Sequence, residues 1–367
     1  MKLGRVFVFI FAVAIAAGFL SSGLSVGVDP RTHAWLALWS MTFPAWLAAI
    51  VAISLIAVVS RGRKSLIVLL VAWVVCIGKV CEFSPMHWHD NSANEPAIKI
   101  MTYNVFMFLP QTGEEHYDYN LTLSSIIKSG ADIVAIQEAN PLDKPNPRLK
   151  ITPSQCDSLK SIYPYTAFDP NGLALLSIFP FESVELAHLP SGTAQFAAYK
   201  VHYPGKDFFL YNIHLQSFRL CPNDRRVYYE MTDGEVSKKI LSEARHEIIP
   251  KVKGALRSHA NEAEMLVTDI RELAPDGTPV VVCGDFNDVP GSFPMRLLEK
   301  ECGLNDAYAE GAFGPTYTYH GSRLYFNIDH ILYRGFGKPF YTGRLKVPSS
   351  DHYPLITELP VEDLTQK

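Results

Sequence analysis

Residues 280–292 read VVVCGDFNDVPGS, and this stretch decides how the second half of the chain folds. The apolar run 280–283 is typical of a buried β-strand, and it ends abruptly in two carboxylates and an amide. These polar residues are Asp285, Asn287 and Asp288. The pair Pro290 and Gly291 then turns the chain at once. Solubility does not require polar residues at this point, because any surface loop could carry them. The pattern therefore predicts a rigid strand that places Asp285 and Asn287 in a site. Asp288 is interpreted as a turn or capping residue.

Other apolar strands that end in polar residues recur along residues 96–367. Strands are predicted at 98–105, 132–139, 173–179, 194–203, 207–217, 280–285, 326–334 and 353–359, with a hairpin turn at Pro204 and Gly205. Helices are predicted at 118–129 and 293–301, and two more within 224–274, broken near Pro250 or Gly254. Strands that alternate with a few helices predict an α/β (α+β) fold of two packed sheets flanked by helices.

The first 82 residues hold most of the long apolar runs, at 6–20, 34–59 and 65–81. Each run approaches the roughly 20 apolar residues that cross a hydrocarbon core of about 30 Å. About three transmembrane helices are therefore predicted, with Lys79 reaching towards the interface. A cleaved signal peptide is the alternative for the first run, although no clear cleavage site follows it.

Basic residues predict the orientation of these helices. Lys2 and Arg5 precede the first run, and the cluster RGRK at 61–64 separates the second run from the third. The N-terminus and the cluster at 61–64 are therefore expected in the cytoplasm, and the third helix is expected to end on the opposite side of the membrane. The predicted organisation is a membrane region at 1–82, a linker at 83–95 and a large extracytoplasmic domain at 96–367.

Charge and cysteine content limit the partners. Residues 1–95 carry seven basic and four acidic side chains, whereas the remainder carries 26 basic and 33 acidic ones. An acidic domain is a poor match for duplex DNA, which argues against a nucleic-acid partner without excluding it. The six cysteines show no zinc-type spacing. The sequence does not decide whether two of Cys156, Cys221 and Cys302 form a disulfide.

Polar groups of one chemical kind close six of the predicted strands. They are Asn104; Gln137 and Glu138; Asn212, His214 and Gln216; Asp285, Asn287 and Asp288; Asn327 and Asp329; and Ser350, Asp351 and His352. Carboxylates and amides are the oxygen ligands that Mg²⁺ or Mn²⁺ prefers, and histidines supply acid and base groups near neutral pH. This mixture suits metal-assisted phosphoester hydrolysis. Taken singly, Asn104 is also explained as a turn residue, Glu138 as a rim ion pair and His214 as a core histidine.

The blocks IKIMTYNV, DIVAIQEA, YNIHLQS, VVVCGDFND, NIDHIL and SDHYP resemble the endonuclease/exonuclease/phosphatase superfamily of deoxyribonuclease-like metal-dependent phosphoesterases. The resemblance covers residues 96–361, in the family's order. It implies a four-layer sandwich of two mainly antiparallel sheets flanked by helices. Three membrane spans before such a domain also resemble bacterial members.

The resemblance implies a role for each matching residue. Asn104, Glu138 and Asp351 match metal-site residues, and the catalytic set is His214, Asp285, Asn287, Asp329 and His352. Within that set, Asp285 matches the group that orients the attacking water, and Asn287 an amide donor to the phosphate. His214 matches the histidine near the scissile phosphate, and Asp329 is expected to pair with His352 and keep it protonated.

Two departures from the family pattern bear on substrate. Asn327 and Ile178 stand where relatives often carry arginine. Arg323 and Arg225 are the candidate substrate-binding residues, although a solvated helix start also explains Arg225.

The sequence therefore predicts a membrane-anchored phosphodiesterase that depends on Mg²⁺ or Mn²⁺. A lipid headgroup or small phosphodiester is the favoured substrate, the lipid bilayer is the expected partner of the N-terminal helices, and the oligomeric state stays open. An endonuclease or exonuclease acting on DNA is the alternative enzyme. A non-catalytic binding or scaffold domain is the alternative of another class.

Overall fold

The computed structural model describes residues 2–88, 95–111, 113–114, 116–142, 144–190, 192–347 and 349–361. The α-helices of these residues are α1 Lys2–Leu24, α2 Pro30–Ser40, α3 Phe43–Val59, α4 Arg63–Phe83, α5 Leu121–Lys128, α6 Pro153–Ile162, α7 Pro222–Thr232, α8 Lys238–Glu243, α9 Ile249–Leu273, α10 Phe293–Cys302 and α11 Ala307–Gly311. The strands are β1 Ala97–Asn104, β2 Ile133–Gln137, β3 Tyr165–Phe168, β4 Ala174–Ser177, β5 Phe181–Val184, β6 Gln195–Tyr203, β7 Lys206–His214, β8 Val280–Asp285, β9 Asn305–Asp306, β10 Asp329–Arg334, β11 Tyr341–Arg344 and β12 Leu355–Pro360.

The strands form two six-stranded sheets. The first sheet has the order β11-β12-β1-β2-β4-β3, and the second has the order β5-β6-β7-β8-β10-β9. Each sheet has one parallel pair, β1 with β2 and β7 with β8, and its other pairs are antiparallel. This confirms the predicted fold of two mainly antiparallel sheets flanked by helices.

The strands of the first sheet bury apolar side chains on both faces. In β2, Ile133 and Ala135 enter the core that both sheets share, whereas Val134 and Ile136 enter a second core with helices α5 and α6. A strand that is buried on both faces reads as a continuous apolar run instead of an alternating one. The run IVAI in the sequence therefore reflects a central strand.

Buried amides join the two sheets. Gln137 of the first sheet donates from Nε2 to Oδ1 of Asn212 on β7 of the second sheet, at 2.6 Å. The Asn212 amide in turn donates to the carbonyl oxygens of Ile136 and Ala174, at 2.9 and 3.0 Å. Both side chains are fully buried. Because buried amides need partners, this network fixes one arrangement of the sheets.

The predicted strands all occur, but two local predictions need comment. The hairpin at Pro204 and Gly205 is confirmed, since Tyr203 pairs with Lys206 across a two-residue turn with Gly205 at φ +100°. The predicted helix break near Pro250 or Gly254 is wrong. A π-helical turn, Ala244–Ile248, joins α8 directly to α9, so the helix runs on without a gap through Pro250 and Gly254. The break lies earlier, between α7 and α8.

The chain divides into two compact units. One contains Met1–Ser84, Arg219–Ala260 and Gly291–Arg296, and the other contains Pro85–Phe218, Asn261–Pro290 and Leu297–Lys367. The predicted domain limits at 1–82, 83–95 and 96–367 stay a prediction, and residues 89–94 of the linker lie outside the described residues.

The first unit holds three segments that are long and apolar enough to cross a membrane, at Gly4–Leu24, Pro30–Val59 and Arg63–Phe83. Within this unit the amine of Lys253 on α9 lies 4.1 Å from the ring centre of Trp35 on α2. All six cysteines are free in this structure, including Cys156, Cys221 and Cys302.

Candidate active site

Strand register in the second sheet places three predicted catalytic residues side by side. Asp285 at the end of β8 pairs with His214 of the parallel strand β7 and with Asp329 of the antiparallel strand β10. Residues directly opposite each other on neighbouring strands lie about 5 Å apart. The three side chains therefore form one row across the sheet, and all are buried.

The carboxylate of Asp285 is the centre of this site. Its Oδ2 accepts a hydrogen bond from Asn104 Nδ2 at 3.0 Å. The same oxygen lies 3.6 Å from Nε2 of His214 and 3.7 Å from Nε2 of His352. One carboxylate oxygen thus faces an amide from the first sheet and two imidazoles.

The first sheet contributes Asn104 and Glu138 through its parallel pair. Asn104 ends β1 opposite Gln137 of β2, so Glu138 follows directly beside it. Asn104 Nδ2 also donates to Glu138 Oε1 at 3.2 Å. Glu138 has a left-handed backbone with φ +53°, a conformation that costs a non-glycine residue about 1–3 kcal/mol and clusters at functional sites.

Asp329 and His352 form a buried pair. Nδ1 of His352 lies 2.8 Å from Oδ2 of Asp329, and the Asp329 side chain is fully buried. Burial alone would lower the pKa of His352, but the charges of Asp329 and Asp285 outweigh it and raise that pKa to about 10. Nδ1 of His352 faces Asp329 while its Nε2 faces the site, so the imidazolium can donate to an oxygen there.

Asn287 and Asp288 differ in what they do within the GDFND turn. Asn287 has φ +49°, its backbone N–H donates to Asp285 Oδ1, and its amide donates to the carbonyl oxygen of Leu215 at 3.0 Å. Since an amide has two N–H donors, one stays available for a ligand. The Asp288 carboxylate instead accepts from the N–H of Val289 at 2.9 Å, as expected for a turn residue.

The residues present fit a divalent cation. Burial raises the pKa of Asp351, and the negative charges of Glu138 and Asp285 raise it further, although His352 opposes them. Such uncompensated negative charge on hard oxygen donors is what a divalent cation neutralises. Ligand atoms of Asp285, Asp329 and His352 also lie within 4.8 Å of one another. Because Asp329 already binds Nδ1 of His352, we assign those two residues to proton transfer instead of metal binding.

A cleft opens beside Glu138 and His214. Its volume is about 420 Å³, and its lining mixes polar and apolar side chains. The other lining residues are Met107, Ala139, Asn140, Pro170, Asn171, Gly172, Thr193, Gln195 and Ser217. The described residues that line this cleft include no lysine or arginine.

Neither of the predicted substrate-binding arginines is among the described residues that line this cleft. Arg323 is exposed on a 3₁₀ turn, Gly321–Arg323, with φ +59°. Arg225 is exposed on α7, a helix of the first unit. Asn327 is buried and Ile178 is exposed at the end of β4. Contact of either arginine with substrate stays a prediction.

Several side chains that hold this site had no predicted catalytic or metal-binding role. The hydroxyl of Ser350 donates to the carbonyl oxygen of Asn104 at 2.8 Å and accepts from the N–H of His352 at 3.2 Å. Thr318 Oγ1 accepts the N–H of Asp329 at 3.1 Å, and the Tyr319 ring lies 5.0 Å from that of His352. Ser350 precedes the Asp-His pair directly, but nothing in the sequence marks Thr318 or Tyr319.

Comparisons with known proteins agree with this geometry. The family model described as "Endonuclease/Exonuclease/phosphatase family" matches residues 101–352. A second model, a domain of unknown function (DUF8431), matches residues 5–82. The search of curated proteins found no match.

Solved structures with a similar fold include an endonuclease/exonuclease/phosphatase from Bacteroides vulgatus, which is 18% identical, with 72% of this chain and 99% of that chain covered and a TM-score of 0.46. The human Nocturnin catalytic domain with bound sulfate is 20% identical, with 72% and 94% covered and a TM-score of 0.46. With its family model matched over residues 101–352, this chain belongs to the endonuclease/exonuclease/phosphatase family.

Proposed function

We propose that this protein is a divalent-metal-dependent phosphodiesterase whose reaction takes place around Asp285. Members of its family are usually phosphoesterases or nucleases that need a divalent cation. The observation that carries the proposal is the convergence on Asp285 Oδ2 of Asn104 at 3.0 Å, His214 at 3.6 Å and His352 at 3.7 Å. A buried carboxylate that faces two imidazoles can accept a proton from water while a histidine donates to phosphate oxygen.

In the proposed reaction Asp285 orients a water molecule and accepts its proton as the water oxygen attacks phosphorus. The bond from phosphorus to the leaving alcohol oxygen breaks in line with this attack. His352, kept protonated by Asp329, and the free N–H of Asn287 donate to the phosphate oxygens as charge develops on them. His214 lines the cleft and is positioned to contact the phosphate or the leaving group.

Asn104, Glu138 and Asp351 are the residues that would hold the divalent cation. When bound, Mg²⁺ or Mn²⁺ would neutralise phosphate charge and favour departure of the alcohol oxygen. Its preference for carboxylate oxygens agrees with Glu138 and Asp351. Asn104 presents its amide N–H groups to Glu138 and Asp285, and its Oδ1 accepts from the N–H of Phe106, so its amide would have to turn over to offer an oxygen.

The cleft favours a small phosphodiester or a lipid headgroup over a nucleic acid. Its described lining holds amides and hydroxyls, such as Asn171, Thr193, Gln195 and Ser217, without a lysine or arginine. Proteins that bind DNA neutralise several phosphates with basic side chains. The excess of acidic residues in 96–367 supports the same preference.

The N-terminal helices support membrane anchoring of this enzyme. Three segments are long and apolar enough to cross a bilayer, and the basic cluster at 61–64 favours a catalytic domain outside the cytoplasm. A reporter that is active only outside the cytoplasm, fused after Glu82, should give signal. A silent fusion that is expressed would overturn the orientation.

Hydrolysis by the full-length protein in detergent micelles tests the activity. The panel is bis(p-nitrophenyl) phosphate, sphingomyelin, phosphoinositides, and duplex and abasic DNA, each with Mg²⁺ or Mn²⁺. Asp285→Asn should reduce the rate by roughly 10²–10⁴-fold, the usual contribution of a positioned acid or base. Asp276→Asn, at an exposed turn position, is the matched control.

Two results would contradict the proposal: activity that Asp285→Asn leaves unchanged, or activity that survives removal of divalent cations by EDTA. A preference for DNA would favour the nuclease alternative. Absence of hydrolysis across the panel, by a protein that still binds phosphodiesters, would favour the scaffold alternative.

A further inference from the structure

Three side chains that the proposed reaction does not use meet beside the loop that joins β5 to β6. They are His188 of this loop and Asp269 and Glu272 of helix α9, and one ligand atom from each lies within 4.8 Å of the others. Residues three apart in a helix lie on the same face, so the two carboxylates point to the same side. The backbone N–H of His188 donates to Asp269 Oδ1 at 3.2 Å, and Nδ1 of His188 lies 2.9 Å from that oxygen.

Asp269 has one carboxylate oxygen that its surroundings do not satisfy. The residue is 1% exposed, and Oδ2 is buried without a hydrogen-bond partner among the described residues. Buried polar atoms without partners are uncommon because the lost hydration is costly. We propose that His188, Asp269 and Glu272 form a second divalent-cation site, independent of the catalytic one.

The donor set favours a transition-metal ion. Zinc binds both imidazole nitrogen and carboxylate oxygen and can keep a position for water, whereas Mg²⁺ prefers oxygen ligands to imidazole. Bond lengths of about 2.0–2.2 Å require ligand atoms roughly 3.4 Å apart in a tetrahedron. His188 is 43% exposed and Glu272 is also exposed, so both side chains can close the remaining gap.

The local electrostatics also favour a cation. The hydrogen bond to Asp269, together with the charges of Asp269 and Glu272, raises the pKa of His188. The same negative potential would attract a metal ion, which would compete with the proton for the imidazole.

A cation here would fasten a loop that leads into the catalytic cleft. The loop continues from His188 to Thr193 and Gln195, both of which line that cleft. Binding would hold this loop against helix α9 and would stabilise the fold by mass action.

Zinc binding to the full-length protein in detergent tests the site. Glu138→Gln serves as the parent, because it weakens the catalytic cation site. Equilibrium dialysis against buffered Zn²⁺, with metal counted by mass spectrometry, compares this parent with added Glu272→Gln or His188→Asn. Glu235→Gln changes another exposed glutamate and is the matched control.

Each of the two ligand variants should weaken the zinc affinity of this site by roughly 100-fold or more, since even changes to outer residues of metal sites cost 10–100-fold. Glu235→Gln should bind like the parent. Zinc should also raise the melting temperature of the parent but not of the Glu272→Gln variant, whose metal-free melting temperature should match the parent. Parent-like zinc affinity in Glu272→Gln overturns the proposal, and leaves His188 and Asp269 as an ion pair only.

Discussion

Gly284 lies on β8 at a point where the chain has no room for a side chain. It lies between Cys283 and Asp285 on β8 and pairs with Ile213 of β7. Its φ is +149°, and a Cβ added there would lie 1.9 Å from the carbonyl oxygen of Ile213 and 2.8 Å from its carbonyl carbon. Real Cβ atoms essentially never approach another heavy atom within 3.0 Å. The change Gly284→Ala must therefore force β7 and β8 apart by about 1 Å or more.

Two terms set the size of this effect. Overpacking a well-packed interior costs about 1–3 kcal/mol, and a positive φ at a non-glycine residue costs about 1–3 kcal/mol more. The free energy of unfolding should fall by about 4 kcal/mol, a large part of the 5–15 kcal/mol typical of proteins. Because Asp285 follows directly, any folded Gly284→Ala protein should also lose activity by roughly 100-fold, the effect of a 1 Å misplacement.

Urea unfolding of the full-length protein in detergent, followed by tyrosine fluorescence and by activity, measures both effects. Gly254→Ala is the control, because a Cβ on Gly254 within helix α9 meets no atom within 4 Å. That control should raise stability by about 0.5–1 kcal/mol, the usual gain from glycine to alanine inside a helix. If Gly284→Ala stays within about 1 kcal/mol of the unchanged protein and keeps full activity, the close approach of the two strands is refuted.

Three further predictions concern other buried polar groups. Asp329→Asn removes the charge that holds His352 protonated, so kcat should fall by roughly 100-fold or more while the melting temperature changes little; an unchanged kcat contradicts the pairing. Burial lowers the pKa of His330 to about 4 from 6.5, so the unfolded chain binds the extra proton first as pH falls. The His330 contribution to stability is therefore complete above pH 6.5 and decreases towards pH 4, by about 2 kcal/mol between pH 6.5 and 5. His330→Gln, which keeps an N–H donor, should remove that decrease in urea unfolding, and equal pH slopes would reject the assignment. Asn212→Ala removes the buried hydrogen bonds to the Gln137 amide and to the carbonyl oxygens of Ile136 and Ala174, and the unfolding free energy should fall by about 2–4 kcal/mol; a loss under 1 kcal/mol would mean that the network does not join the sheets.

The central strands could be predicted from the sequence because they are buried on both faces. The strand predicted from VVVCGD is β8, Val280–Asp285, and all six of its residues are buried. Such runs cannot be placed in a solvent-exposed loop, and the polar residue at their end marks where the strand leaves the core. The predictions of β1 and β2 succeed for the same reason.

Short edge strands could not be predicted in the same way. Tyr165–Phe168 and Phe181–Val184 are four residues long, partly exposed, and lie at sheet edges. Their pairing depends on the neighbouring strand and not on their own apolar pattern, because β-propensity varies with context. The wrong prediction at Pro250 is of another kind: a π-helical turn, Ala244–Ile248, stands directly before this proline, and the helix continues past it.

The polar strand ends show why a site can be located from sequence more easily than its members can be assigned. Gln137 and Asn212 belong to the same set of strand-end polar residues as Glu138 and His214. In the structure the Gln137 amide donates to Asn212 across the sheets, whereas Glu138 and His214 line the cleft. Glu138 follows the end of β2 with a left-handed backbone, so its side chain leaves the strand pattern that Gln137 still obeys. Asn212 and His214 are two residues apart and share a face of β7, so the alternation of the strand cannot tell their tasks apart.

The row formed by His214, Asp285 and Asp329 depends on strand register, and this dependence explains the glycine in GDFN. His214, Asp285 and Asp329 lie side by side only because β7, β8 and β10 pair in one register, and a slip of one residue would turn Asp285 to the opposite face. Gly284 lets β7 and β8 approach at the pair directly before that row. A site built on paired strands is held more rigidly than one built on loops, as a reaction that aligns water and leaving oxygen requires. The glycine is therefore a positioning residue: it contacts no substrate, yet the place of Asp285 depends on it.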